Sequence, residues 1–261
     1  LGNILKDLGK LEQAEISYRK AIELNPNLGE AHSNLGNILN SLGKLQEAES
    51  SQRKAIELNP DFVDAHYNLG NILRDLGKLK EAEFSYRKAI EINPDFADAH
   101  SNLGIILKDL GKLKEAELST RKAIELNPNF TEAHSNLGTI LKDLGKLKEA
   151  ESSIRRAIEL NPDFADAYLN LGNVLKLFGK YYDAINHYEK AIQFNDKLSF
   201  AKLGIIESKG LICDWSNQEI ETHWLENLGI EGPSIYPLGL FYLEDNPLKQ
   251  LKIAKKFYNE R

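Results

Sequence analysis

Glu30-Ala31-His32-Ser33-Asn34-Leu35-Gly36-Asn37-Ile38-Leu39 decides the fold of this 261-residue chain, because its pattern returns at a fixed interval. Leu35-Gly36 recurs as Leu69-Gly70, Leu103-Gly104, Leu137-Gly138 and Leu171-Gly172, after a first appearance as Leu1-Gly2, so each step is 34 residues. A constant period of that length marks an array of small supersecondary units. Taking Gly29 to Phe62 as the reference, the later units run 63–96, 97–130, 131–164 and 165–198, and a truncated one occupies 1–28.

Each unit carries two helical patterns. The first has His32, Leu35, Gly36, Leu39 and Leu42 at helical spacing, and the second has Leu45, Ala48, Ala55, Ile56 and Leu58. Gly43 stands between them, repeated as Gly9, Gly77, Gly111, Gly145 and Gly179, where a left-handed helix cap is expected. Asn59-Pro60 closes the unit and recurs as Asn25-Pro26, Asn93-Pro94, Asn127-Pro128 and Asn161-Pro162. Proline disfavours the α conformation of the residue before it, so the second helix ends there. Gly36, Ala48 and Ala55 lack the bulk that would hold two helices apart. One helix pair cannot bury both its faces, so neighbouring pairs must stack.

These residues resemble the tetratricopeptide repeat (TPR) family, over residues 1–198. The resemblance implies an all-α, right-handed superhelical solenoid with an inner and an outer surface. Gln52 and Thr120 depart from the family pattern, standing where the second helix usually has an aromatic residue. Asp196 replaces the closing proline, which suggests that the regular array is ending.

At 100° per residue, Glu30, Asn34, Asn37 and Ser41 fall within about 60° of one another on the first helix, away from Leu35 and Leu39. Their counterparts are Asp64, Asn68, Asn71 and Asp75, then Asp98, Asn102, Ile105 and Asp109, then Glu132, Asn136, Thr139 and Asp143, then Asp166, Asn170, Asn173 and Leu177. The family resemblance implies that this stripe lines the concave groove. An asparagine offers a carbonyl acceptor and an amide donor, so a row of them can hold a peptide backbone without reading its side chains. Each bond contributes roughly 0.5–1.5 kcal/mol net, so several are needed. Asn34, Asn37, Asn68, Asn71, Asn102, Asn136, Asn170 and Asn173 are therefore the candidate peptide-binding residues. The other reading is that these amides cap or bridge helices within the stack. Some proteins of this family hold a C-terminal carboxylate with Lys and Arg on this face; here Asp, Glu and Asn would repel it. Lys108, Lys142 and Arg74 lie beside the stripe, each next to an Asp that partly neutralises it.

His32, His66, His100 and His134 invite a metal reading. Equivalent residues of stacked helices are about 10 Å apart, whereas ligands of one zinc sit about 2 Å from the metal. They take the position of a large packing residue, as Tyr168 does. The Asp and Glu residues follow the repeat and are assigned to solvated helix faces. Neither a Gly-rich phosphate loop nor a Ser/His/Asp arrangement stands out. We therefore expect no catalytic residue, no metal and no cofactor in this chain.

From Ser199 the period fails and aromatic residues accumulate. Residues 199–261 are read as a divergent C-terminal helical cap. Ser216-Asn217-Gln218-Glu219 fits a capping box, with Ile220, Trp224 and Leu228 on one face and Gly229 as a stop. Asp245-Asn246-Pro247 opens another helix, with Leu248, Leu251, Ala254 and Phe257 as its apolar stripe. The run Leu211-Ile212-Cys213-Asp214-Trp215-Ser216, with Pro237 and Glu244-Asp245-Asn246-Pro247-Leu248-Lys249-Gln250-Leu251, resembles the junction in O-linked N-acetylglucosamine transferases. There, repeats lead into a two-lobed glycosyltransferase, whose nucleotide-sugar site lies in the lobes. Cys213 and Trp215 are read as packed residues.

A net charge of −6 gives no sequence-wide reason to bind nucleic acid or an anionic membrane. No apolar run has the length of a membrane span, and the single cysteine suits a reducing, cytoplasmic compartment. The chain has no methionine and begins inside a repeat, which suggests a fragment of a longer protein. The expectation is a groove that binds protein or extended peptide, serving as the substrate-recruiting arm of a glycosyltransferase, or else a stand-alone interaction scaffold.

Overall fold

A computed structural model describes residues 1–212 and 214. Cys213, Trp215, the Ser216 capping box and the helix expected after Asp245 lie outside the described residues. Helices α1 (Gly2–Asp7), α2 (Leu11–Leu24), α3 (Gly29–Ser41), α4 (Leu45–Leu58), α5 (Val63–Asp75), α6 (Leu79–Ile92), α7 (Ala97–Asp109) and α8 (Leu113–Leu126) come first. After them come α9 (Thr131–Asp143), α10 (Leu147–Leu160), α11 (Ala165–Leu177), α12 (Tyr181–Phe194) and α13 (Ser199–Leu211). Among the described residues the protein is all-α. The chain divides into two compact units, Leu1–Asn136 and Leu137–Arg261.

In the first unit α1 packs on α2, α3 on α4, α5 on α6 and α7 on α8; successive pairs then meet through α2 and α3, α4 and α5, α6 and α7. In the second unit α10, α11, α12 and α13 pack in sequence. The punctuation behaves as the sequence dictates. Gly43 has φ +74°, and its N–H donates to Asn40 O while the Lys44 N–H donates to Leu39 O, at 2.9 and 2.8 Å. These two bonds make a Schellman motif, repeated at every such glycine. Asn59 is extended, ends α4, and its Oδ1 accepts the Asp61 N–H at 3.2 Å.

The glycine of each Leu-Gly step is a site of close approach. A Cβ on Gly70 would lie 2.6 Å from the Tyr86 ring, and one on Gly138 would lie 2.2 Å from Ile154. Ala48 and Ala55 are fully buried. In each pair a second-helix residue, as large as Tyr86 or as small as Thr120, is therefore seated on the bare backbone of the first helix.

The helix spacing continues one step beyond the sequence period. α13 starts at Ser199, 34 residues after α11 at Ala165. Gly204 approaches Tyr188, which Gly172 already meets. Asn195 also ends α12 in an extended conformation although Asp196 replaces proline, with its Oδ1 accepting the Lys197 N–H at 3.1 Å.

Candidate functional site

The first helices place the eight asparagines at equivalent positions, all of them half-buried. Their hydrogen bonds separate them into groups. Asn37, Asn71 and Asn173 each spend a carbonyl on the second helix of their own unit. Gln52 Nε2 donates to Asn37 Oδ1 at 2.8 Å, the Tyr86 hydroxyl to Asn71 Oδ1 at 2.8 Å, and the Tyr188 hydroxyl to Asn173 Oδ1 at 2.9 Å. The Tyr18 hydroxyl makes the same bond to Asn3 Oδ1. These partners lie 15 residues apart. Where the second-helix residue is Thr120 or Ile154, the position 15 before it holds Ile105 or Thr139. Thr120 instead donates to Ala116 O at 2.9 Å. This pairing was written in the sequence as covariation between units, which a reading of each stripe alone passes over. Gln52 is an incomplete substitute: its Nε2 also donates to Ser33 O at 2.9 Å, but its Oε1 is buried without a partner among the described residues.

Asn102 and Asn136 cross to the preceding unit. Asn102 Nδ2 donates to the Tyr67 hydroxyl at 3.1 Å and to Asn71 Oδ1 at 3.0 Å, and Asn136 Nδ2 donates to Ser101 Oγ at 3.4 Å. Asn170 is also engaged. Asn34 and Asn68 have no side-chain partner among the described residues, so each retains two donors and an acceptor. The bridging reading of these amides therefore holds at Asn37, Asn71, Asn102, Asn136 and Asn173.

The histidines have a structural use. Nε2 of His32, His66, His100 and His134 lies 2.9, 2.8, 3.0 and 2.9 Å from the carbonyl oxygens of Pro26, Pro60, Pro94 and Pro128. A carbonyl only accepts, so each ring donates and ties the inter-unit loop to the following helix. Among the described residues no three His, Cys, Asp or Glu side chains gather as a metal site. Beside the stripe, Arg74, Lys108 and Lys142 pair with Asp75, Asp109 and Asp143 at 3.1, 3.4 and 3.3 Å.

The assignment of the acidic residues to solvated faces needs correction on the second helices. Glu49 is only 13% exposed at its side chain and accepts from Arg53 at 2.9 Å and from Lys78 of the next unit at 2.8 Å. Arg53 in turn reaches Glu81 of that unit at 2.7 Å. Glu15, Arg19, Lys44 and Glu47 repeat the arrangement, as do Glu83, Arg87, Lys112 and Glu115. Burial pushes the Glu83 carboxyl up, yet hydrogen bonds from Lys112 and Arg87 outweigh it and hold the group below its ordinary value. Burial likewise raises the Tyr86 hydroxyl, which stays protonated as the donor to Asn71. The ladder was hard to foresee because its partners sit 28 or 29 residues apart, on different units.

No helix among the described residues is long and apolar enough to cross a membrane. A search of the curated proteins found no match to this sequence. The family description "TPR repeat" matches residues 2–43, 36–73, 70–111 and 138–177, and "Tetratricopeptide repeat" matches 97–130, 165–198 and 120–152. Among solved structures, YrrB, described as a TPR protein with an unusual peptide-binding site, is 32% identical, with 70% of this chain and 95% of that one covered and a TM-score of 0.57. A TPR protein from Parabacteroides merdae shares 20% identity over 98% of this chain and 96% of its own, with a TM-score of 0.74. PilF of Pseudomonas aeruginosa shares 21% identity over 87% and 97%, with a TM-score of 0.66. The last two likenesses concern the fold alone. With the repeat period, the Gly and Asn-Pro punctuation and the stacked helix pairs, these matches establish that the chain belongs to the tetratricopeptide repeat family.

Proposed function

We propose that the chain binds a protein or extended peptide along the polar face of its first helices, in the cytoplasm, and that it is the substrate-recruiting arm of an O-linked N-acetylglucosamine-transferase-like enzyme. The observation that carries the binding reading is the pair Asn34 and Asn68, half-buried at equivalent positions of adjacent units and with every donor unspent. Asn37 adds its remaining amide hydrogens beside them. Donors at a regular interval suit an extended backbone, whose carbonyls also recur regularly. The peptide-binding site described for YrrB is consistent with this use of the fold. In this reading the chain itself performs no chemistry; residues 1–198 bind, and 199–261 form the junction.

The glycosyltransferase assignment rests on the resemblance of the Cys213-Asp214-Trp215 segment to the junction in that family. Reading the coding sequence beyond Arg261 tests it. A nucleotide-sugar-binding α/β region supports it, and a stop codon immediately after Arg261 overturns it in favour of a stand-alone scaffold. The binding assignment is tested by capture from lysate. Changing Asn34 and Asn68 together to Ala is expected to deplete the captured peptides while leaving helicity intact; undiminished capture overturns it.

A further inference from the structure

A second surface lies on the other side of the stack. Taking Asn68 as the origin on α5, Leu69, Leu73 and His66 lie about 100–160° round the helix. Those three residues form the floor of a 460 Å³ cleft between the second helices α4 and α6, walled by Ile56 and Phe84. Phe84 is 62% exposed, and Leu118, at the equivalent position on α8, is 70% exposed. The fold does not need either side chain, because Ser50 and Ser152 occupy the same position in other units. A corresponding cleft beside Ser50 is lined by Ile22, Leu35 and the two serines Ser50 and Ser51 instead.

Charge distinguishes this surface further. Around Phe84 the ion pairs cancel: Arg53 and Lys78 with Glu49 and Glu81, Lys54 with Glu57, Lys88 with Glu91. Lys80 and Lys114, each one turn before the exposed apolar residue of its helix, have no carboxylate partner among the described residues. Lysine and a large apolar residue coincide in this way on α6 and α8, whereas α4 has Gln46 with Ser50 and α2 has Glu12 with Ile16. On a chain of net charge −6, Lys80 in this cleft and Lys114 on α8 are left over as positive charge.

We propose that the cleft between α4 and α6, with Phe84, Leu118, Lys80 and Lys114, is a docking site for an acidic segment of another protein that inserts an aliphatic or aromatic anchor. The anchor fills the apolar cleft, and its flanking carboxylates meet the two lysines. This site is independent of the asparagine face.

The test uses the full chain and a synthetic amphipathic helical peptide with Glu on one face and Leu and one Trp on the other, titrated by Trp fluorescence and by backbone NMR. Binding is expected to shift resonances of α6 and α8 and to leave the Asn34 and Asn68 side-chain amides unmoved. Phe84→Ser with Leu118→Ser, and separately Lys80→Glu with Lys114→Glu, are each expected to weaken binding about tenfold without changing the circular dichroism or thermal midpoint. No binding, equal binding of a Lys-for-Glu version of the peptide, or unchanged affinity of both variants would overturn the proposal. Concentration-dependent self-association abolished by Phe84→Ser would also overturn it, by making a second copy of the chain the occupant.

Discussion

Both amide hydrogens of Asn102 are spent inside the stack, one on the Tyr67 hydroxyl at 3.1 Å and the other on Asn71 Oδ1 at 3.0 Å. Tyr67 stands where other units have Ser33, Ser101 or Ser135, and its ring packs 4.8 Å from that of Phe96. Tyr67 thus withdraws Asn102 as a donor to ligand. Tyr67→Ser is expected to speed solvent exchange of the Asn102 side-chain amide protons, measured by NMR, without altering those of Asn34. Unchanged exchange at Asn102 would mean that Tyr67 does not hold it.

Asn68 and Asn71 sit one turn apart and should respond oppositely in a stability assay. Asn71→Ala strips an acceptor from the buried Tyr86 hydroxyl and from Asn102, at an expected cost of about 1–3 kcal/mol. Asn68→Ala removes no internal bond and is expected to stay within about 0.5 kcal/mol of the parent. Chemical denaturation of the two variants measures both values. Equal costs would contradict the division of the asparagines.

Gly70 and Gly77 are required for different reasons. A methyl group on Gly70 would press on the Tyr86 ring at 2.6 Å, so Gly70→Ala is expected to cost about 1–3 kcal/mol through overpacking. Gly77 has open space around it but a φ of +72°. Its replacement by Ala should cost about 1 kcal/mol through backbone strain alone. Thermal denaturation followed by a crystal structure of Gly70→Ala would show whether α5 and α6 have moved apart.

Acid should loosen the second-helix ladder. The carboxyls of Glu15, Glu49 and Glu83 lie below their ordinary value of 4.5 in the folded chain. For Glu15 the hydrogen bond from Lys44 is the largest cause; for Glu49 and Glu83 burial opposes the shift and the Lys and Arg hydrogen bonds overcome it. A group with a lowered folded pKa contributes stability that is present above 4.5 and is lost as pH falls through the folded value. The thermal midpoint should therefore drop below pH 4.5, and Glu49→Gln with Glu83→Gln should flatten that drop while lowering the midpoint at neutral pH. An identical acid profile in the variant would remove the ladder from the account.

The fold was legible because its signals are local. Gly43 sets a left-handed cap and Asn59-Pro60 sets an extended stop, and both repeat every 34 residues without reference to any distant partner. The polar face was legible as a stripe, because helical spacing alone aligns Asn34 with Asn37. Which asparagines are free was not, since that depends on groups 15 residues on, such as Gln52 and Tyr86, or in the preceding unit, such as Tyr67. The use of His66 was hidden for a similar reason. Its partner is the Pro60 carbonyl, a backbone atom that leaves no trace in residue identity.

The most direct test of the central claim is a calorimetric titration of a peptide captured by the parent chain against Asn34→Ala with Asn68→Ala. Two asparagines, each making bonds of about 0.5–1.5 kcal/mol, predict a loss of about tenfold or more in affinity with unchanged helicity and thermal midpoint. An affinity equal to that of the parent would contradict a ligand held by this face.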